Sequence, residues 1–250
     1  MYLFNHPLLF ELVTFACVIC IVEVVERKWA AYPINRSNQW RLNLIALIVV
    51  IFGSKISGGT WNWLSSHFFI DETLRIESLR NLSLFPKILI AIISVDFCLF
   101  LIHWLMHNSK ILWITHKFHH TPKMMFWLSG SRTSFFHLLV FALPQVVIPF
   151  YILKINALEA SILLAFSLIV NIWVHMNFKA NIGLLSWFFI TPQYHRIHHA
   201  NSYLSGMNLG FVHTVWDRIF GTYVDPEKVQ NFDLGLVRDE EISWKSLVGI

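Results

Sequence analysis

The sequence predicts an all-α integral membrane protein with about four to five transmembrane helices and a cytoplasmic helical cap. Of the 250 residues, 56% are hydrophobic and 14% are charged, whereas an average soluble domain carries about 25% charged residues. The mean hydropathy is +0.56. Five apolar segments come close to the roughly 20 residues that a helix needs to cross a bilayer. This composition excludes a disordered chain, a disulfide-rich secreted scaffold and an ordinary soluble domain.

The five segments are the predicted spans. In chain order they cover residues 8–25, 42–56, 84–106, 136–153 and 157–174. The second is short and has glycines at or just past its end, so residues 61–70 form an alternative re-entrant or interfacial segment. The fourth contains Pro144 and Pro149 and should therefore be kinked.

Basic residues set the expected orientation, because lysine and arginine accumulate in cytoplasmic loops. The first loop has four basic residues: Arg27, Lys28, Arg36 and Arg41. The third loop also has four: Lys110, Lys117, Lys123 and Arg132. The second loop mixes both signs: Lys55, Asp71, Glu72, Arg75, Glu77 and Arg80. We therefore expect one membrane domain over residues 1–250, with residues 106–135 and 178–250 forming the cytoplasmic cap.

The net charge of +4 does not indicate a nucleic-acid partner. The 19 lysine and arginine residues stand singly between apolar runs, without the basic stripe that a phosphate backbone requires. The three cysteines, Cys17, Cys20 and Cys98, also lie in apolar runs, where helix packing explains them.

The 13 histidines are unusually ordered along the chain. Nine lie at or just beyond the predicted cytoplasmic ends of spans: His103, His107, His116, His119, His120, His175, His195, His198 and His199. The pattern H-x-x-H-H occurs twice, and helical residues three or four apart share a face. His6 and His67 are expected to be ordinary residues. Imidazole suits iron, zinc, copper and nickel, so the sequence predicts a metal site.

Nine imidazoles exceed the four of a closed zinc site and suit two metal ions, each with an open position. The chain lacks the H-E-x-x-H of zinc proteases and the Glu-x-x-His set of soluble di-iron bundles. Neutral imidazoles leave the ions highly positive, which fits an oxidising, O2-activating centre. Two alternatives stay open: a zinc-dependent membrane hydrolase or isomerase, and a non-enzymatic protein that binds metal or lipid.

Four motifs resemble those of the fatty acid hydroxylase/sterol desaturase superfamily. They are H-W-L-M-H (103–107), H-K-F-H-H (116–120), H-M-N (175–177) and T-P-Q-Y-H-R-I-H-H (191–199). The ending N-L-G-F-V-H-T-V-W-D-R-I-F-G-T-Y (208–223) strengthens the resemblance, which runs from about Asp96 to Tyr223. It implies that the nine histidines bind two iron ions. It also implies an enzyme that uses O2 to hydroxylate or desaturate a C–H bond of a lipid or sterol-like substrate.

The residues and the resemblance together set further expectations. The chain shows no haem-binding domain, ferredoxin-type cysteine set or dinucleotide fingerprint, so electrons should come from a separate donor. The membrane would be a bacterial inner membrane or the endoplasmic reticulum, with the metals on the cytoplasmic side. Some members carry a further histidine where this chain has Asn171. Five residues are candidates for supporting contacts to the ligands: Asp96, His137, Asn171, Asn177 and His213. For Asp96, a carboxylate within an apolar span, a structural contact between helices is the alternative role.

Overall fold

The computed structural model describes residues 7–37, 39–68, 76–229, 231–238 and 241–250. Within these ranges the chain forms helices and isolated β-bridges but no strands. The α-helices are α1 (Pro7–Lys28), α2 (Trp40–His67), α3 (Glu77–Arg80), α4 (Leu84–Asn108), α5 (Lys110–His116), α6 (Phe135–Val146), α7 (Ala157–His175), α8 (Pro192–His198), α9 (Val215–Phe220) and α10 (Trp244–Val248). A π-helical stretch, Val147–Ile152, continues α6. Four 3-10 turns complete the set: Lys117–His120, Trp127–Ser131, Gly183–Trp187 and Tyr203–Gly206.

Four of the described helices are long and apolar enough to cross a bilayer: α2, α4, α6 with its π-helical continuation, and α7. The prediction of an all-α membrane protein with about four to five spans is therefore confirmed. The first predicted span coincides with the 22-residue helix α1. The predictions for His6, Asp71, Glu72 and Arg75 concern residues that lie outside the described ranges.

Helix α2 is longer than the sequence predicts. It has 28 residues and runs through the glycines that marked the expected end, so residues 61–67 continue α2 rather than forming a separate re-entrant segment. A Cβ on Gly53 would lie 2.7 Å from Leu138 of α6, so the glycine allows the two helices to approach closely. The indole Nε1 of Trp61 donates a hydrogen bond to the Leu139 carbonyl at 2.5 Å. Packing against α6 thus supports α2 beyond its apolar stretch.

The fourth span changes helix type where proline interrupts its hydrogen-bond ladder. After Pro144 the chain takes up π-helical geometry, in which the Leu153 N–H donates to the Ile148 carbonyl at 3.0 Å. At the following turn, the Asn156 side chain accepts from the Glu159 N–H at 3.0 Å, and Glu159 accepts from the Asn156 N–H at 2.7 Å. This reciprocal capping starts α7 and closes a tight hairpin.

The opposite end of the bundle is held together by a buried carboxylate. Glu26, in the last turn of α1, is fully buried. It accepts hydrogen bonds from the backbone N–H of Trp127 at 2.9 Å and of Asn177 at 2.6 Å, and pairs with Arg36 at 2.7 Å. The third loop and the end of α7 are therefore tied to one point, and the histidine-bearing segments meet at this end.

Candidate metal centre

Helix α4 and the chain that follows it supply five histidines. His103 and His107 lie in the last two turns of α4, one helical turn apart. His116 is the last residue of α5, which Ser109 caps at its start by accepting from the Leu112 N–H. The 3-10 turn after α5 presents two more, His119 and His120. The sharp reversal between α4 and α5 brings both sets together.

The other four histidines come from α7 and α8. His175 is the last residue of α7. Helix α8 begins at Pro192, with the Thr191 hydroxyl accepting from the Tyr194 N–H, so a short and well-capped helix carries the second H-x-x-H-H pattern. Its histidines are His195, His198 and, directly after the helix, His199.

The structure gathers these nine side chains into two groups, in each of which the potential ligand atoms lie within 4.8 Å of one another. The first group is His103, His107, His116, His120 and His198; the second is His119, His175, His195 and His199. All are buried except His107, which is half-buried. The groups adjoin each other, since the rings of His120 and His199 stack with centroids 4.6 Å apart.

Distances between ring nitrogens fit ligands that share an ion. In the first group the Nε2 of His116 lies 3.0 Å from the Nε2 atoms of both His103 and His120. In the second group the Nε2 of His195 lies 3.1 Å from those of His175 and His199. Nitrogens bound about 2.1 Å from one ion stand about 3.0–3.4 Å apart at adjacent positions.

Backbone carbonyls decide which nitrogen of four rings is free to bind an ion. The ring Nδ1 pairs with a carbonyl oxygen in each case: His103 with Leu209 (2.7 Å), His119 with Arg132 (3.1 Å), His175 with Asn171 (2.8 Å) and His198 with Met207 (3.1 Å). A carbonyl only accepts, so Nδ1 carries the proton and Nε2 keeps its lone pair. Such partners typically fix the orientation of metal-bound histidines.

Burial keeps the imidazoles outside the spans neutral. Desolvation is the largest cause and the neighbouring imidazoles add to it. Together they hold the pKa of six rings well below the usual value of a histidine: His116, His119, His120, His195, His198 and His199. Neutral rings with lone pairs facing each other repel unless a cation lies between them. The buried Nε2 atoms of His107 and His198 have no hydrogen-bond partner within the described chain. The donor set therefore fits metal ions.

The structure places three of the supporting candidates as follows. His137 lies beside the first group, with its Nδ1 3.0 Å from the Nδ1 of His116 and its ring stacked on that of His116. Asn171 contributes its backbone carbonyl to His175. The Asn177 side chain contacts the backbone of Tyr32 instead, accepting from its N–H at 3.2 Å and donating to its carbonyl at 2.7 Å.

Asp96 and His213 pair with each other rather than with either histidine group. The Asp96 carboxylate, 1% exposed, accepts from the His213 Nδ1 at 2.7 Å, the Val212 N–H at 2.7 Å and the Trp216 Nε1 at 2.7 Å. Through these hydrogen bonds Asp96 joins α9 and the loop before it to the middle of α4. The carboxylate in the apolar span thus makes contacts between elements, one of the two roles expected for it.

A second buried carboxylate, that of Asp217, supports the site. Asp217 is fully buried and accepts from the Tyr194 hydroxyl and from the N–H groups of Leu209 at 2.7 Å and Gly210 at 2.8 Å. This network fixes the Leu209 carbonyl to which His103 donates. The W-D-R segment contributes to the family resemblance, but its position in the sequence does not reveal its contacts with α8.

A mostly apolar cavity of about 430 Å³ lies among α2, α4, α6 and α7. Leu99, Phe141 and Val212 line it on the side of the histidines, and Pro149 and Ile155 line it near the α6–α7 hairpin. The Phe141 ring stacks on that of His137, with centroids 4.2 Å apart, so one residue contacts both the cavity and the ring beside the first histidine group. The cavity can hold an alkyl chain that lies along the spans.

Fold and site together define a helical membrane protein with a histidine-rich candidate metal centre at one end of its spans. The sequence model of the fatty acid hydroxylase family matches residues 88–222, which include all nine clustered histidines. The chain belongs to the fatty acid hydroxylase family.

Curated relatives are similar over part of their length. Human alkylglycerol monooxygenase is 30% identical over 191 residues, covering 70% of this chain and 41% of the relative. Alkylglycerol monooxygenase of Xenopus tropicalis is 30% identical over 54% of this chain and 30% of its own length. Ornithine lipid hydroxylase of Rhizobium tropici is 26% identical over 60% of this chain and 45% of its own length. The chain thus spans less than half of each relative. No solved structure matches it significantly.

Proposed function

We propose that this protein is a di-iron oxygenase that hydroxylates or desaturates a C–H bond of a lipid or sterol-like substrate, using O2 as co-substrate. One observation carries the proposal: two adjoining groups of five and four imidazoles lie beside an apolar cavity among the spans. The nine histidines would hold one iron ion per group. Bound iron would supply the activation of O2 that such a reaction requires.

The protein's own residues would prepare the site for that chemistry. The carbonyls that accept from Nδ1 keep the Nε2 lone pairs directed into the two groups. Burial of the cluster excludes bulk water, which protects a reactive centre from side reactions. The position of Phe141, between cavity and histidines, would bring a chain in the cavity close to the metals.

The reaction balances with a separate electron donor. In hydroxylation, C–H, O2, two electrons and two protons give C–OH and one water. In desaturation, two adjacent C–H bonds, O2, two electrons and two protons give a double bond and two waters. The donor would approach the end of the bundle where the histidines lie. The basic residues in the loops indicate that this end faces the cytoplasm, in a bacterial inner membrane or the endoplasmic reticulum.

We also propose that residues 1–250 form a single membrane domain.

The relatives support oxidation over the alternatives. Alkylglycerol monooxygenase and ornithine lipid hydroxylase are both named for adding oxygen to a lipid. A zinc-dependent hydrolase or isomerase on the same histidines would need no O2, and a non-enzymatic protein that binds metal or lipid would convert no substrate. Metal analysis of active protein distinguishes the oxygenase from the zinc-dependent hydrolase or isomerase, because two irons per chain support the oxygenase and zinc alone contradicts it.

Comparative lipid mass spectrometry tests the activity directly. Cells that express the protein should accumulate a lipid heavier by one oxygen, or lighter by two hydrogens, relative to cells without it. The His198→Ala variant should abolish that product, because it removes a ligand of the first group. The matched control is His67→Ala, an exposed histidine remote from both groups. An unchanged lipid profile, or full activity of His198→Ala, would overturn the proposal.

A further inference from the structure

A strip of large apolar side chains is exposed on the segment assigned to the cap. We define the apolar ridge as residues 184–189 together with α9. Leu184 is 91% exposed and Ile219 is 65% exposed. The other large apolar residues exposed on the ridge are Leu185, Trp187, Phe188, Phe189 and Phe220. A soluble surface rarely carries such a contiguous patch, so this one requires a partner.

The two parts of the ridge form one surface. The Arg218 guanidinium lies over the ring of Trp187, 4.8 Å from its centroid, and over that of Tyr223, 3.7 Å from its centroid. Its Nε also donates to the Trp187 carbonyl at 3.2 Å. The Thr214 N–H donates to the Phe188 carbonyl at 2.8 Å. An arginine stacked on tryptophan and tyrosine can bury its stem in hydrocarbon while its charge reaches the membrane–water interface.

Contacts with α4 set the depth of the ridge. The Trp216 ring packs on Phe97, with centroids 4.8 Å apart, and the Phe220 ring packs on Phe100 at 5.2 Å. A hydrocarbon core about 30 Å thick corresponds to about 20 helical residues. Counted from Leu84, the start of α4, these residues end at about His103. Phe97 and Phe100 therefore lie inside the core, and α9 beside them lies at the same depth.

Helix α7 independently indicates the same depth of the ridge in the membrane. Its 19 residues, Ala157–His175, are about 28 Å long, so the whole helix is needed to cross the core. The Trp173 Nε1, in its last turn, donates to the Ile190 carbonyl at 3.0 Å. The end of the first part of the ridge is therefore level with the end of a helix that must remain in the membrane.

The backbone of the ridge is already paired, as the hydrocarbon region demands. The Phe188 and Phe189 N–H groups both donate to the Leu185 carbonyl, at 3.0 and 2.8 Å. The one acid of α9, Asp217, is fully buried within the protein. Burying this irregular segment in lipid would therefore leave few polar groups without partners.

We infer that the apolar ridge is embedded in the hydrocarbon of the leaflet on the histidine side, where its partner is the acyl chains of the surrounding lipids. The lipid-facing surface of the spans continues onto it, so part of the expected cytoplasmic cap is a membrane-embedded segment. Phe211 and Val212, which directly precede α9, line the cavity. The histidine-side wall of the cavity thus lies within the leaflet. This inference rests on the membrane spans and not on the proposed reaction.

Site-directed spin labelling of the protein in lipid vesicles tests the inference. In a background of Cys17→Ala, Cys20→Ala and Cys98→Ala, a nitroxide would be attached at Leu184→Cys or Ile219→Cys. Collisions with O2, which concentrates in hydrocarbon, are then compared with collisions with a water-soluble nickel chelate. We expect the ratio of O2 to nickel collisions at both positions to be several-fold higher than at a water-exposed site.

Two controls calibrate the measurement. Ile169→Cys, 63% exposed on α7, reports a lipid-facing span, and Lys228→Cys, whose side chain is 82% exposed, reports the aqueous face of the cap. All four positions are exposed, so the label requires no repacking of the core. If the label at position 184 or 219 behaves like that at 228, the inference is overturned. The ridge would then be a water-facing surface for a soluble protein.

Discussion

At the scale of single residues, the site depends on the residues that position the imidazole rings as well as on the histidines themselves. Gly130 shows this most directly. A Cβ at this position would lie 2.7 Å from the Nδ1 of His175 and 2.9 Å from the side-chain oxygen of Asn171. Any larger residue would therefore displace the ring that donates to the Asn171 carbonyl. The absence of a side chain at Gly130 is a requirement of the second histidine group.

The Gly130→Ala variant tests that requirement. We expect it to lose metal from the second group and most of its activity, because the added methyl displaces His175. Metal per chain, measured by mass spectrometry of the purified protein, is the readout. The matched control is Gly206→Ala, where an added Cβ meets nothing within 4 Å. Equal metal content in the two variants would show that Gly130 does not position the ring.

At the scale of elements, α7 has two separate tasks at two places along its length. One face lines the cavity through Ala160, whereas Ala165 on the same helix is exposed and outside the cavity lining. The last residue, His175, belongs to the second histidine group. A change on the cavity face should therefore affect substrate binding without disturbing the metals.

Substitution of alanine by phenylalanine on α7 separates these tasks. Ala160→Phe should lower kcat/KM for a long-chain lipid by about tenfold, equivalent to about 1.4 kcal/mol, because the ring occupies cavity space. Metal content should stay unchanged. Ala165→Phe adds the same ring to the exposed face and should leave kcat/KM as it was. Similar kinetics for the two variants would place the substrate chain elsewhere.

At the scale of the whole molecule, a few buried charges join segments that are distant in sequence. Glu26 joins α1 to Trp127 and Asn177, 101 and 151 residues away. Asp96 joins α4 to the chain around His213, 117 residues away. These carboxylates hold the histidine segments in register, since each fixes backbone or ring donors from another part of the chain.

Removal of Glu26 should therefore destabilise the whole histidine end. Glu26→Ala leaves two buried N–H groups and part of the Arg36 charge without a partner, a loss of about 3–5 kcal/mol. The apparent Tm in detergent should fall, and metal should be lost although no ligand is changed. Glu227→Ala, at an exposed acid, is the control and should keep the parental Tm. An unaltered Tm in Glu26→Ala would contradict this role.

Metal removal should also destabilise the molecule. Without cations, converging lone pairs of buried neutral rings repel each other, as at the 3.0 Å separation of His103 and His116. We expect chelation to lower the apparent Tm by about 5 °C or more, and added Fe²⁺ to restore it. Thermal unfolding followed by circular dichroism measures both steps. A Tm that is insensitive to chelation would show that the groups do not bind metal in the folded protein.

The spans and the histidine pattern were predictable because both are local. An apolar run of span length identifies a membrane helix, and i, i+3 and i+4 spacing puts His116, His119 and His120 on neighbouring positions of one turn. The end of α2 was not predictable, because its extension past Gly58 depends on packing against α6. The contacts of Asn177 with Tyr32 were equally hidden, since they join residues 145 positions apart.

By itself, the sequence determined that this protein is a helical membrane protein with histidine boxes at the ends of its spans. Hydropathy and helical periodicity are local patterns that extend over a few helical turns. They can therefore be recognised without knowing which other segments pack against a helix. Only the tertiary structure decided the division of the nine histidines into groups of five and four, the site of the cavity and the roles of Glu26, Asp96 and Asp217. These features depend on distances between remote segments, which are set by how the helices pack against one another.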